Sequence, residues 1–267
     1  MYSYEQFIED AERIKKEYCD VIKCETIGYS VRGRKIILFK LGCGQQSFFI
    51  TAGVHGRESA NTPALMRMIE RYAYSSGDNS IINNSSFYIV PLLNPDGYVM
   101  ATTDRVMREY KRNANGVDIN RNFPSVHYRD GGTGGEYAGS EPETKALITA
   151  LYNHPSRIYI DIHSRGEVIY YHRAAMSEQY NERQLAIADR ISQVTGYELV
   201  PPNDEIAADD SGGNTVHYVS ETYGIPAITI ETLPDDVEFP IDSLYSYDIM
   251  NHLEFLFETL ASCLSDT

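Results

Sequence analysis

Apolar residues along this chain fall into short continuous runs that alternate with stretches of helical spacing. Ser3-Tyr4-Glu5-Gln6 reads as a capping box, and Phe7, Ile8, Ala11 and Ile14 behind it predict a first helix. The runs KIILFKLG and SFFITAG, separated by Gly-Cys-Gly, predict a pair of strands. Leu65, Met68, Ile69 and Tyr72 predict a helix over about 60–74, and FYIVPLL a buried strand ending in a turn at Asn94-Pro95-Asp96-Gly97. Ser140-Glu141-Pro142-Glu143 reads as a second capping box, opening a helix through KALITALY. RIYIDIH is then a strand ending in His163, with EVIYYH as its neighbour. A helix over about 177–195, another starting near Asn214, the strand AITIET and a last helix over about 241–262 complete the chain. Strands alternating with helices predict an α/β sheet with helices on both faces. Residues from about 113 to 139 form a Gly-rich polar stretch too long for a simple connector; in α/β folds such loops gather at the carboxyl ends of strands, where sites are built. With no repeat and no linker, a single domain over 1–267 is expected.

Composition narrows the function. Hydrophobic residues make up 42% of the 267, enough for a large core. No apolar run approaches the ~18 residues that span a bilayer, and the opening MYSYEQFIEDAERIKKEY lacks the features of a secretory signal, so a cytoplasmic protein is expected. The four Cys form neither a disulfide framework nor a Cys-x-x-Cys pair, as in a chain with reduced thiols. A net charge of −15 argues against nucleic acid or an anionic membrane as partner.

The stretch TAGVHGRESANT carries His55 and Glu58 three positions apart, which is not the helical His-Glu-x-x-His zinc signature. His163 ends a later strand, and a sheet brings strand ends together. Two imidazoles and a carboxylate are the ligand set of a catalytic zinc with one position open for water. A lone His at a strand end is ordinarily structural, and His127, His154, His172, His217 and His252 are read so. Several parts coincide, however. Glu231 also ends an apolar strand, where near a metal it would be the general base for the bound water. Asp118 could accept the outer N–H of a ligand His. Asn120 and Arg121, side by side in GVDINRNFP, suit a carboxylate, and Arg57 between the first two ligands must lie near any metal there.

In order and spacing, IGYSVRGRKI (27–36), HGRE (55–58), NPDGY (94–98), GVDINRNF (116–123), YAGSEPE (137–143), IDIHS (160–164) and ITIE (228–231) resemble the zinc metallocarboxypeptidase family of the carboxypeptidase A type, over nearly the whole chain. The resemblance implies a mixed eight-stranded sheet flanked by helices, one zinc ion on His55, Glu58 and His163, and Glu231 as the group that activates water. It also implies that Asn120 and Arg121 grip the terminal carboxylate of a peptide substrate and that Arg57 contacts the backbone of the preceding residue. Two positions depart from the family pattern. Where members carry an Arg that polarises the scissile carbonyl, this chain has Lys111, with Arg108 and Arg112 as rivals; Lys can still stabilise an oxyanion. Where members carry a mobile Tyr before a Gly-Gly, counting back from Gly212-Gly213 gives Ala208.

HSRGEVIYYH (163–172) looks most like bacterial members that cut γ-D-glutamyl–diamino acid bonds of peptidoglycan peptides. Some of those relatives lack the Arg of the Asn-Arg pair; this chain retains Arg121. The expectation is removal of a terminal diamino acid such as diaminopimelate from a wall-derived (murein) peptide. Asp209-Asp210 would meet its extra ammonium, unless they are simply a solvated loop. Thr215, small and uncharged near the position that sets family specificity, predicts neither a strongly basic nor a large aromatic preference. The alternatives are a general metallocarboxypeptidase, a related deacylase of N-acyl amino acids, or an inactive module that binds peptide C-termini.

Overall fold

The Ser3 capping box closes: the Gln6 amide donates to Ser3 Oγ and the Ser3 amide to Gln6 Oε1, starting α1 (Tyr4–Glu17). The computed structural model describes residues 1–77, 80–129, 131–204 and 212–265. After α1 come β1 (Ile22–Tyr29), β2 (Lys35–Leu41), β3 (Gln46–Ala52), α2 (Asn61–Tyr74) and β4 (Ser85–Val90). Next are α3 (Pro95–Thr103), α4 (Pro142–Asn153), β5 (Ile158–Ser164), β6 (Val168–Tyr170), α5 (Glu178–Thr195) and β7 (Glu198–Leu199). The chain then forms α6 (Thr215–Tyr223), β8 (Ala227–Thr232), α7 (Ser246–His252) and α8 (Leu256–Ser265).

One eight-stranded mixed sheet runs in the order β1-β2-β4-β3-β5-β8-β6-β7. Its centre, β4-β3-β5-β8, is parallel, and β2 and β6 flank that centre antiparallel. Alternation divides each central strand between two cores. Phe48, Ile50, Ile160, Ile162, Ile228 and Ile230 face α1, α2, α5, α7 and α8. Phe49, Tyr159 and Ala227 face α4 and α6 on the other side. Helices therefore cover both faces of a single α/β domain. Among the described residues, no helix is long and apolar enough to cross a membrane.

Local pattern placed six of the eight strands, missing β1 and β7, and did not give all their neighbours. The runs KIILFKLG and SFFITAG are β2 and β3, yet β4 lies between them. The run EVIYYH supplies β6, which pairs with β8 and β7 rather than β5. Asn94 to Gly97 is the opening of α3 and not a strand-ending turn, with Asn94 accepting from the Gly97 amide at 2.9 Å. The box expected at Ser140 does not form: Glu141 takes the cap position without a side-chain cap bond, and Glu143 is committed elsewhere. Buried Glu141 and Glu143 both accept from Asn113 Nδ2, at 2.7 and 3.0 Å, and Glu143 accepts from the Val31 amide at 3.2 Å. The final helix is broken into a single 3-10 turn, α7 and α8.

Candidate active site

In this sheet β4 follows β3 on one side and β5 lies on the other. The carboxyl ends of β3 and β5 thus flank a point where strand order reverses, the usual place for a ligand in an open α/β sheet. His55, Arg57 and Glu58 follow β3, His163 is in β5, and Glu231 in the adjacent β8 pairs directly with His163. The HGRE turn approaches α3 so closely that a side chain at Gly56 would meet the Gly97 carbonyl carbon at 2.2 Å. Asn94 holds this junction together: its Nδ2 donates to the Val54 carbonyl at 3.0 Å and to the Arg112 carbonyl at 3.1 Å. The same contacts fix the segment that carries Lys111, whose carbonyl accepts from the Gly56 amide.

His55 Nδ1 lies 2.6 Å from Glu58 Oε1, and His163 Nδ1 lies 3.1 Å from Glu58 Oε2. The two Nδ1 atoms are 3.2 Å apart, and all three side chains are buried. Tetrahedral zinc with bonds of ~2.0–2.1 Å sets its donors about 3.3 Å apart. One donor atom from each residue, all within 4.8 Å, therefore fits that ion. Each outer ring nitrogen faces a carboxylate. His55 Nε2 is 3.2 Å from Asp118 Oδ1, and His163 Nε2 is 3.1 Å from Asp161 Oδ2, the latter off the line of a well-formed hydrogen bond. Burial pushes the Glu58 carboxyl up, but His55 and His163 outweigh it and hold Glu58 well below the usual carboxylate range. The same contest, with His55 and Lys111 as the positive neighbours, lowers Asp118. Burial lowers His163, yet Asp161 and Glu58 reverse this and hold the ring well above the ordinary imidazole value. A positive charge belongs between these groups.

Glu231 faces the same space. Desolvation by the cleft walls raises its carboxyl to about 8, with Glu58 and Asp161 adding and His163 and Lys111 opposing. Two adjoining hollows, of about 500 and about 200 Å³, share His55, Lys111 and Glu231. Lys111 Nζ is held 3.0 Å from Asp118 Oδ2, so Asp118 ties the cation to the His55 ring. Arg108 reaches the larger hollow only, and Arg112 lines neither. Asn120 and Arg121 line the smaller hollow, with Arg57 in the larger.

Thr215 does not line the smaller hollow. It is fully buried, and its amide and Oγ1 donate to Asn120 Oδ1 at 3.0 and 3.2 Å, which turns the Asn120 amide group. The walls there include Asn214, Val216, His217 and Arg173. Burial pushes His217 down to about 3, with Arg173, His127 and Arg121 adding, so it stands as a neutral imidazole. Sequence reasoning treated His217 as structural and passed over Asp161 and Arg173. Strand alternation from His163 could have found Asp161, which lies two positions earlier on the same face. Ala208, Asp209 and Asp210 lie outside the described residues.

A crayfish (Astacus astacus) carboxypeptidase B is 27% identical over 192 residues, 64% of this chain and 63% of that relative, so the likeness spans less than two thirds of the relative's length. Among solved structures, bovine thrombin-activatable fibrinolysis inhibitor in complex with tick carboxypeptidase inhibitor superposes with a TM-score of 0.86 at 20% identity, over 100% of this chain and 99% of that one. Murein-tripeptide amidase MpaA from Escherichia coli O157 superposes with a TM-score of 0.61 at 22% identity, over 89% and 91%. At such identities these two likenesses establish the fold. Residues 7–245 match the family described as zinc carboxypeptidase, and the chain belongs to that family.

Proposed function

We propose that this chain is a zinc metallocarboxypeptidase that hydrolyses the amide bond before a terminal residue, with γ-D-glutamyl–diaminopimelate in wall-derived peptides as its substrate. The observation that carries the reaction is the pairing of Glu231 with His163 across β8 and β5. It sets a base of raised pKa beside a donor set that suits zinc, the cofactor of the family.

His55, Glu58 and His163 would hold the ion, which when bound would polarise the scissile carbonyl and lower the pKa of water. Glu231 accepts a proton from the attacking water and delivers it to the leaving amine as the C–N bond breaks. Lys111 offers its ammonium to the oxygen that gains charge, held there by Asp118. In the smaller hollow, Asn120 and Arg121 receive the terminal carboxylate, and Arg57 meets the preceding residue.

Two observations support the wall-peptide substrate, the HSRGEVIYYH resemblance and the fold shared with a murein-tripeptide amidase, while the retained Arg121 favours a free terminal carboxylate. Incubating the zinc-loaded protein with L-Ala-γ-D-Glu-diaminopimelate tests it, with release of free diaminopimelate expected. Cleavage of ordinary peptides without cleavage of this tripeptide would reject the substrate and leave a general carboxypeptidase. Bound zinc with no hydrolysis of either would leave a binding module.

A further inference from the structure

The cleft holds more positive charge than the scheme above uses. Arg57 and Arg165 both line the larger hollow, beside the donor set and Glu231. Both guanidiniums lie against one ring, 4.3 and 4.6 Å from the Phe239 centroid. Neither forms an ion pair with a carboxylate of the described residues. Arg57 Nε is buried without a hydrogen-bond partner, and the bond from Arg165 Nη1 goes to the Val237 carbonyl. The loop that carries Phe239 is fastened to the HGRE turn, since the Ile241 amide donates to the Arg57 carbonyl at 3.1 Å and Ser59 Oγ to the Ile241 carbonyl at 2.7 Å. The pair is thus a held feature of the cleft and not two loose surface side chains.

Arg121 in the smaller hollow takes the terminal carboxylate, so the larger hollow receives the acyl side of the scissile bond. An ordinary peptide presents neutral backbone there and carries an anion only where the acyl residue has an acidic side chain. Glu109, Asp235 and Glu238 line the same hollow, but neither guanidinium forms an ion pair with them, so both remain able to bind a substrate carboxylate in a planar fork. A γ-linked glutamyl residue carries its free α-carboxylate on that side.

We propose that Arg165, together with Arg57, recognises a carboxylate on the acyl residue of the substrate and is the specificity-determining element by which this cleft reads a γ-linked glutamyl group. The wall-peptide reading supplies this ligand, whereas the requirement for an acyl-side anion rests on the arginine pair alone. An α-linked glutamyl residue places its side-chain carboxylate the same number of bonds from the scissile carbonyl. It therefore serves as a control for the linkage.

The test compares L-Ala-γ-D-Glu-diaminopimelate with the same tripeptide carrying a carboxamide in place of the glutamyl α-carboxylate. It adds two α-linked peptides that differ only in Glu or Gln before the terminal residue. Wild-type protein should favour each acid over its amide by about 10–100-fold in kcat/KM, the range of a charged hydrogen bond. Arg165→Ala should remove most of that preference and leave the amide rates near wild type, and Arg165→Lys should restore part of it. Calorimetry on the Glu231→Gln protein should show the same order in Kd without turnover. Equal rates on acid and amide in the wild type, or an equal loss on both in Arg165→Ala and Arg165→Lys, would overturn the assignment. A Glu-over-Gln preference that depends on Arg165, with neither tripeptide cut, would retain carboxylate recognition by Arg165 and reject both the γ-linkage and the wall-peptide reading.

Discussion

Replacing Asp161 by Asn removes one buried negative charge and leaves volume and shape nearly unchanged. Asp161 is 1% exposed, and neither of its oxygens makes a hydrogen bond among the described residues, so its charge acts on the His163 ring 3.1 Å away. Asp118, on the opposite ligand, instead divides its oxygens among His55, Lys111 and the Asn120 amide. Carboxylates behind a metal-binding imidazole contribute about 10–100-fold to metal affinity. Misalignment with Nε2 places Asp161 at the low end, so Asp161→Asn should weaken zinc binding about tenfold, or about 1.4 kcal/mol. Competition against a coloured chelator measures this, and kcat at saturating zinc should stay within a few-fold of wild type. A second readout is the stability of the metal-free protein. Because the folded-state pKa of His163 is raised, its contribution is fully present below the unfolded value of ~6.5 and is lost as pH rises through the folded value. Asp161→Asn should flatten that dependence. Unchanged zinc affinity, or intact affinity with a collapse of kcat, would refute the argument that Asp161 acts through His163.

Glu231→Gln should keep zinc but lower kcat by about 10²–10⁴-fold, whereas His163→Ala should lose the metal altogether; metal content and turnover measured together separate the two. Glu231 must be ionised to accept a proton and is raised to about 8 without a metal, and a bound cation draws it down. The profile of kcat/KM should therefore climb with pH and level off, its midpoint below about 8; a rate that fell with pH across that limb would contradict the assignment. Thr215→Val leaves the backbone bond to Asn120 but removes the hydroxyl one, and should raise KM about 2–10-fold with kcat nearly constant. An altered preference among terminal side chains would instead place Thr215 in the pocket wall.

Local pattern was enough to place most strands and helices, because one face or both of each is buried in a core with its own period. Sheet order was not legible, since β4 inserts beside β3 through contacts distant in sequence that leave no trace in either run. Ser140-Glu141-Pro142-Glu143 carried the letters of a capping box, but Asn113 claims both carboxylates. His55, Glu58, His163 and Glu231 were legible because each follows or ends an apolar run. Asp161 hid inside such a run, where a carboxylate looks like an interruption until its neighbour two positions on is seen to join the donor set. Arg165 is marked only by its place beside Arg57 on the Phe239 ring, which only the folded chain displays.

His163 and Glu231 are cross-strand partners, and adjacent strands lie ~4.8 Å apart in any sheet. The interval between the proposed metal ligand and the proposed base is thus indexed by the backbone ladder, as teeth are by the pitch of a gear. Slipping one strand by a residue would turn Glu231 to the opposite face, so intermediate spacings do not exist. Substitutions that soften the surrounding loops can retune what enters the cleft without detuning the chemistry. For engineering new substrates, the loop bearing Phe239 and the segment after β5 are open to variation, whereas the β5–β8 register is not.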